Sequence, residues 1–170
     1  MTPEQASFLK DFLVASVERE THITRRVLES VPSDRGSYRP HPNSRSALEL
    51  AWHIASADAW FLDGFLKGHF DMEDDSMPAD LATGADIASW YEDSIARHLG
   101  KVAELPAQFW ATPLNFFGIY NYPAVMYLQF MIHHMVHHRG QLCAYLRPMG
   151  AKVPNIYGGS FDEPMAPPKT

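Results

Sequence analysis

The chain has a single cysteine, Cys143, among 170 residues. One thiol excludes an intrachain disulfide framework and any all-thiolate zinc site. No run of lysine and arginine occurs, and the formal net charge is −6. A nucleic-acid partner is therefore disfavoured. No stretch reaches the roughly 18 uninterrupted apolar residues that a membrane span needs. The opening Met-Thr-Pro-Glu-Gln lacks the basic-then-apolar order of a secretory signal. No segment alternates apolar and polar residues as a half-buried strand does. These absences set the expectation of a cytoplasmic, helical protein that contacts neither membrane nor nucleic acid. What remains is ordinary globular composition, 46% hydrophobic and 20% charged. At this length it reads as one domain with a sizeable core.

Helix signals are strong. Thr2-Pro3-Glu4-Gln5 combines a capping residue, a proline at the first helical position and a glutamine three residues after the cap. Behind it Leu9, Leu13, Ser16, Glu20, Ile23 and Val27 recur at helical spacing, predicting a helix that ends near Val31-Pro32. Ser46-Ala47-Leu48-Glu49 is a second capping box and opens a helix running to about Phe65. Leu50, His53, Ala57 and Trp60 share one of its faces. The acidic stretch from Asp71 to Asp80 reads as a solvated connection. Thr83-Gly84-Ala85-Asp86 caps a third helix with Ile87, Tyr91, His98, Val102 and Leu105 along one side. Aromatics then crowd the region between Pro106 and Pro123 without a helical period, which predicts a loop that folds onto the body or lines a pocket. A fourth long helix spans about Pro123 to Leu146. The expected architecture is an all-α four-helix bundle over residues 1–150, followed by an extended tail over 151–170 in which Pro154, Pro164, Pro167 and Pro168 forbid a helix.

Histidine is what the chain has in excess. Four of its nine histidines, His133, His134, His137 and His138, lie within six residues of the fourth long helix. Imidazole is the commonest metal ligand, and histidines at i and i+4 project from one helix face. Two such pairs exist, His133 with His137 and His134 with His138, and periodicity does not choose between them because this helix is apolar nearly all round. A lone histidine on an apolar face, as His53 is, is more often a hydrogen-bonded core residue than a ligand. Three imidazoles, two from one helix and one from another, would leave a position open for water or substrate. His22, His41, His69 and His98 read as solvated or loop residues, and no side chain stands out as a general base.

The string His134-Met-Val-His-His138-Arg139-Gly140-Gln141 resembles the H-x-x-x-H-R-G-Q signature of the DinB/YfiT-like family. Leu50-Ala-Trp-His53-Ile54, with Asp58 five residues on, resembles that family's second-helix motif. The tail from Met149 to Gly158 is also similar to one branch of it, so the resemblance covers most of the chain. It implies an up-down-down-up four-helix bundle with long connections. It also implies a divalent metal, zinc or nickel, held by His53, His134 and His138. Some resembling proteins are metal-dependent thiol S-transferases that use low-molecular-weight thiols, so the implied activity is thiol transfer or hydrolysis on a small-molecule substrate. A non-catalytic metal-binding or stress-response protein is the alternative.

Around such a site Gln141, His137 and Glu20 are the candidates for supporting roles. Gln141 shares a face with His138 and suits either a contact to the site or a helix-packing amide. Glu20 suits either an acceptor for a ligand histidine or an exposed edge. Arg139 is expected to pair with a carboxylate such as Asp58. Trp52, Trp60 and Cys143 are expected in the core. Surplus apolar surface on the fourth long helix favours a homodimer.

Overall fold

The computed structural model describes residues 1–165 except Glu73; the remaining five residues of the expected tail, with Pro167 and Pro168, lie outside them. The chain is mostly helical. Its elements are α1 (Pro3–Glu29), α2 (Ala47–Lys67), α3 (Gly84–Ala103), a short α4 (Ala107–Ala111), β1 (Pro113–Phe116), β2 (Tyr120–Pro123) and α5 (Ala124–Leu146). All three capping boxes form. Thr2, Ser46 and Thr83 each accept a hydrogen bond from the backbone N–H three residues on, and Gln5, Glu49 and Asp86 reach back to the caps. Of the four long helices, α1 packs on α3 and α5, and α2 packs on the same two.

The core shows why these helices assemble. On α5 the buried line is Leu128, Met131, Met135, Arg139, Leu142 and Leu146, at spacings of three and four. His134 and His138 stand one position to the side of it. On α1 the fully buried positions are Ala6, Val17, Thr24, Val27 and Leu28, with Thr21 beside them. Hydrophobicity alone places the seam about one residue away, because the threonines here are buried as hydrogen-bonding groups. Thr21 Oγ1 donates to the Val17 carbonyl at 2.8 Å, and Thr24 Oγ1 accepts from Arg139 at 3.1 Å.

Two expectations need correction. The aromatic region is not an unstructured loop: it contains α4 and an antiparallel hairpin with Pro113 opposite Pro123 and Phe116 opposite Tyr120. The strands are four residues each, too short for a visible alternation, and β2 is Tyr-Asn-Tyr-Pro with little burial to pattern. The acidic stretch is not simply solvated either. Trp52 Nε1 donates to the Asp75 carbonyl at 2.9 Å and Trp60 Nε1 to the Asp71 carbonyl at 2.9 Å, which straps this segment across α2. The tail crosses α1 and the end of α5, where Arg26 meets Glu163 at 2.5 Å and Arg147 meets Asp162 at 2.8 Å. No helix among the described residues is long and apolar enough to cross a membrane.

Candidate metal centre

Packing α2 against α5 brings His53 to the flank of α5 that carries His134 and His138. One ring nitrogen from each of the three lies within 4.8 Å of the others. Ring centroids are 5.0 Å apart for His53 and His134, 4.7 Å for His53 and His138, and 4.4 Å for His134 and His138. His133 and His137 are exposed on the outer side of α5, so the geometry separates the two i, i+4 pairs that periodicity left tied.

Their surroundings hold the rings in the form a metal needs. Burial pushes all three imidazoles below the ordinary histidine range. For His134, burial and the neighbouring histidines take it to about 4. Arg45, exposed just before the α2 cap, adds positive potential at each ring. Nitrogens bearing no proton at neutral pH are ready to donate lone pairs.

Two rings are also oriented from behind. His138 Nδ1 lies 3.1 Å from Gln141 Oε1. An amide oxygen only accepts, so Nδ1 carries the proton and Nε2 is left as the donor atom. His53 Nδ1 lies 3.4 Å from Asp75 Oδ2, whose other oxygen accepts from Ser56 Oγ. The third ring differs: His134 Nδ1 is buried and has no hydrogen-bond partner among the described residues. A buried polar atom left so is costly unless something else satisfies it. The donor set, its neutrality and this orphaned nitrogen fit a borderline-soft divalent cation such as zinc or nickel.

A cavity of about 510 Å³ adjoins the cluster, with His53 and His134 on its wall. Trp52, Trp60, Trp90, Phe61, Phe116, Phe117 and Phe130 supply apolar surface, and Asp63, Asp71, Asp74 and Asp75 supply carboxylates. His98 of α3 is also on this wall. Its Nδ1 lies 2.7 Å from the Ser94 carbonyl, which only accepts, so Nδ1 donates there and Nε2 is the nitrogen not used in that bond.

The DinB family model matches residues 6–170. The chain belongs to the DinB family. It is similar to the uncharacterized proteins YrdA, 26% identical over 90% of both chains, and YjoA, 26% identical over 76% of this chain and 83% of that one, both from Bacillus subtilis strain 168. A solved DinB-like protein from Bacillus cereus ATCC 10987 superposes with a TM-score of 0.73 at 26% identity, covering 85% of this chain and 95% of the other. The crystal structure of Bacillus subtilis YjoA does so at 0.69 and 22%, covering 85% and 96%, which speaks to the fold.

Within this DinB-family chain the supporting residues sort unevenly. Gln141 contacts His138. His137 is exposed, with its ring 4.8 Å from that of His138. Glu20 contacts no histidine of the cluster: its carboxylate pairs with Arg139 at 2.6 Å and accepts from the Tyr157 hydroxyl at 2.8 Å. The expected Arg139–Asp58 pair is therefore replaced by Arg139–Glu20. Asp58 is fully buried instead, accepting from Tyr91 Oη at 2.8 Å, and burial pushes its carboxyl up to about 8. Asp75 and His98 are the residues sequence reasoning missed. Asp75 carried no signal in an acidic stretch. His98 did, since it lies seven residues, two helical turns, after the buried Tyr91.

Proposed function

We propose that this DinB-family protein is a metal-dependent enzyme, a thiol S-transferase or hydrolase, with a divalent ion held by His53, His134 and His138. The observation that carries the reading is the convergence of three neutral imidazoles from two helices on one point at the edge of an apolar cavity. Because all three ligands are uncharged, the ion would supply uncancelled positive charge that favours the deprotonated form of a thiol or water beside it.

The chain's own groups carry the rest. Gln141 and Asp75 fix which nitrogens of His138 and His53 face inward. His98 Nε2 is the group on the cavity wall suited to receive the proton released from the nucleophile. The hairpin and α2 aromatics exclude water from one side of the reacting atoms. The same reading takes the four long helices as an up-down-down-up bundle in a cytoplasmic protein, with a low-molecular-weight thiol as one substrate. It also takes the chain as a homodimer, for which the partly exposed Met126 and Phe130 on α5 are the motive; a monomer mass by light scattering at micromolar concentration would remove that part.

The test measures bound metal and thiol consumption against a panel of electrophiles and esters for wild type, His53→Ala and chelator-treated protein. Wild type should bind one equivalent of zinc or nickel, and both treatments should remove most of the rate. Stoichiometric metal with equal background rates in all three would leave a non-catalytic metal-binding protein.

A further inference from the structure

The hairpin tip is built at a cost that its fold does not require. Ile119 N–H donates to the Phe116 carbonyl at 2.9 Å, closing a turn whose two central residues, Phe117 and Gly118, have φ of 54° and 72°. Positive φ at both central positions is the pattern of a type I′ turn, which takes Asn-Gly readily. Here a bulky aromatic holds the first position, and Phe117 is the one non-glycine residue with positive φ among those described. Such outliers persist where something else requires them, and they cluster at ligand sites.

What the strain achieves is placement. The Phe117 ring lies parallel to Trp60, at 11° and 6.2 Å between centroids, and stays 40% exposed at the cavity wall. Phe116 continues the surface inward, stacked on Phe61 at 11° and 6.3 Å. Trp52 and Trp90, 4.8 Å apart, add two further rings to the lining. The walls are thus mainly flat aromatic faces, in a volume suited to a small ligand. Among the described residues the charged side chains of the lining are the aspartates Asp63, Asp71, Asp74 and Asp75, with no lysine or arginine, and Asp63 is paired from behind with Lys67 at 2.6 Å.

We propose that this cavity binds a flat aromatic group bearing no negative charge, and that Phe117 determines that specificity. The proposal deepens the enzymatic reading and rests on it: the aromatic group is the body of the electrophilic substrate, and its reactive end reaches the edge where His53 and His134 meet the cavity. In the chelator-treated protein an anionic body would face Asp74 and Asp75, which have no lysine or arginine partner among the described residues, whereas Asp63 is already balanced by Lys67 at 2.6 Å.

Isothermal titration with 2-naphthylmethanol and with 2-naphthoate tests this on the full chain, zinc-loaded and chelator-treated. The chelator-treated arm removes any attraction between carboxylate and metal. There the alcohol should bind at least tenfold more tightly than the carboxylate. Phe117→Asn, which suits the turn, should weaken the alcohol at least fivefold while its thermal midpoint stays level or rises and its zinc stoichiometry is unchanged. No alcohol binding, equal affinity for the two probes, or full affinity in Phe117→Asn would overturn the proposal. A lowered midpoint in that variant would also overturn it, since Phe117 would then be a packing residue. Retained preference for the alcohol in a protein that takes up neither zinc nor nickel would uphold the cavity assignment and sink the metal reading instead.

Discussion

Two polar clusters hang from the same stretch of α5, and they are built on opposite plans. On the side facing α1, Arg139 is 1% exposed and saturated: it contacts Glu20, Thr24 Oγ1 and the Tyr157 hydroxyl, and Tyr157 closes the circuit onto Glu20. On the side facing α2, three rings converge with one nitrogen of each within 4.8 Å of the others, and His134 Nδ1 is buried with no hydrogen-bond partner among the described residues. The first cluster satisfies its own charges and ties α1, α5 and the tail together. The second gathers three imidazoles in an arrangement compatible with a divalent cation. Residues one position apart in sequence thus belong to two differently balanced clusters, and each predicted effect below tests that division.

The largest effect should come from His134→Ala. Losing an outer partner of a metal ligand typically costs about 10–100-fold in affinity, so losing a ligand should cost more than about 100-fold. The fold should suffer little, since the apolar line of α5 is untouched. Metal titration alongside thermal melting checks this; a large fall in melting temperature without loss of metal would break the division. Glu20→Ala should give the mirror image. It strands Arg139 in the interior, and breaking a buried pair in this way costs about 3–5 kcal/mol. Metal stoichiometry should be unchanged, and denaturant unfolding reads the loss directly.

Asp58 sharpens the comparison because it solves burial a third way, by neutralisation. Its folded pKa of about 8 stands above its ordinary value of 3.8. The native state therefore holds a proton that the unfolded chain releases, so this contribution is full below about pH 4 and is lost as pH rises toward 8. The slope reaches at most about 1.4 kcal/mol per pH unit. Asp58→Asn keeps an acceptor for Tyr91 but has no proton to lose. Its stability relative to wild type should climb by about 2–3 kcal/mol between pH 5 and pH 7. Parallel stability curves would show that Asp58 is ionised in the folded protein.

How much of this was legible in the sequence follows from the physics of each signal. Caps and apolar periods are local, so Thr2, Ser46 and Thr83 and the long helices could be read directly. Helical spacing fitted both i, i+4 histidine pairs equally, and it was the resemblance of the H-x-x-x-H-R-G-Q string to the family signature that pointed to His134 and His138. Arg139 was harder. A long side chain has several carboxylates in reach, and Asp58 and Glu20 are separated by which way α1 and α2 face it, a tertiary fact. The hairpin was invisible because four-residue strands carry no period, and the strap at Asp75 because a carboxylate in an acidic loop resembles every solvated one. The cavity-wall residues that escaped notice, Asp75 and His98, are those whose placement depends on what lies across the cavity.

The smallest effect concerns Gln141. Its Oε1 fixes the proton on His138 Nδ1 and so presents Nε2 inward. Without it, the ring can rotate or exchange tautomers, and part of the population offers a protonated nitrogen to the site. Gln141→Ala should therefore weaken metal binding by about tenfold, the low end for loss of an outer partner and equal to about 1.4 kcal/mol. Gln141 is exposed, so global stability should stay within about 0.5 kcal/mol of wild type. Gln141→Glu separates orientation from packing: a carboxylate keeps the acceptor, so affinity should recover to at least the wild-type level. If alanine and glutamate weaken binding alike, the amide is a helix-packing group, and His138 is held by the geometry of α5 alone.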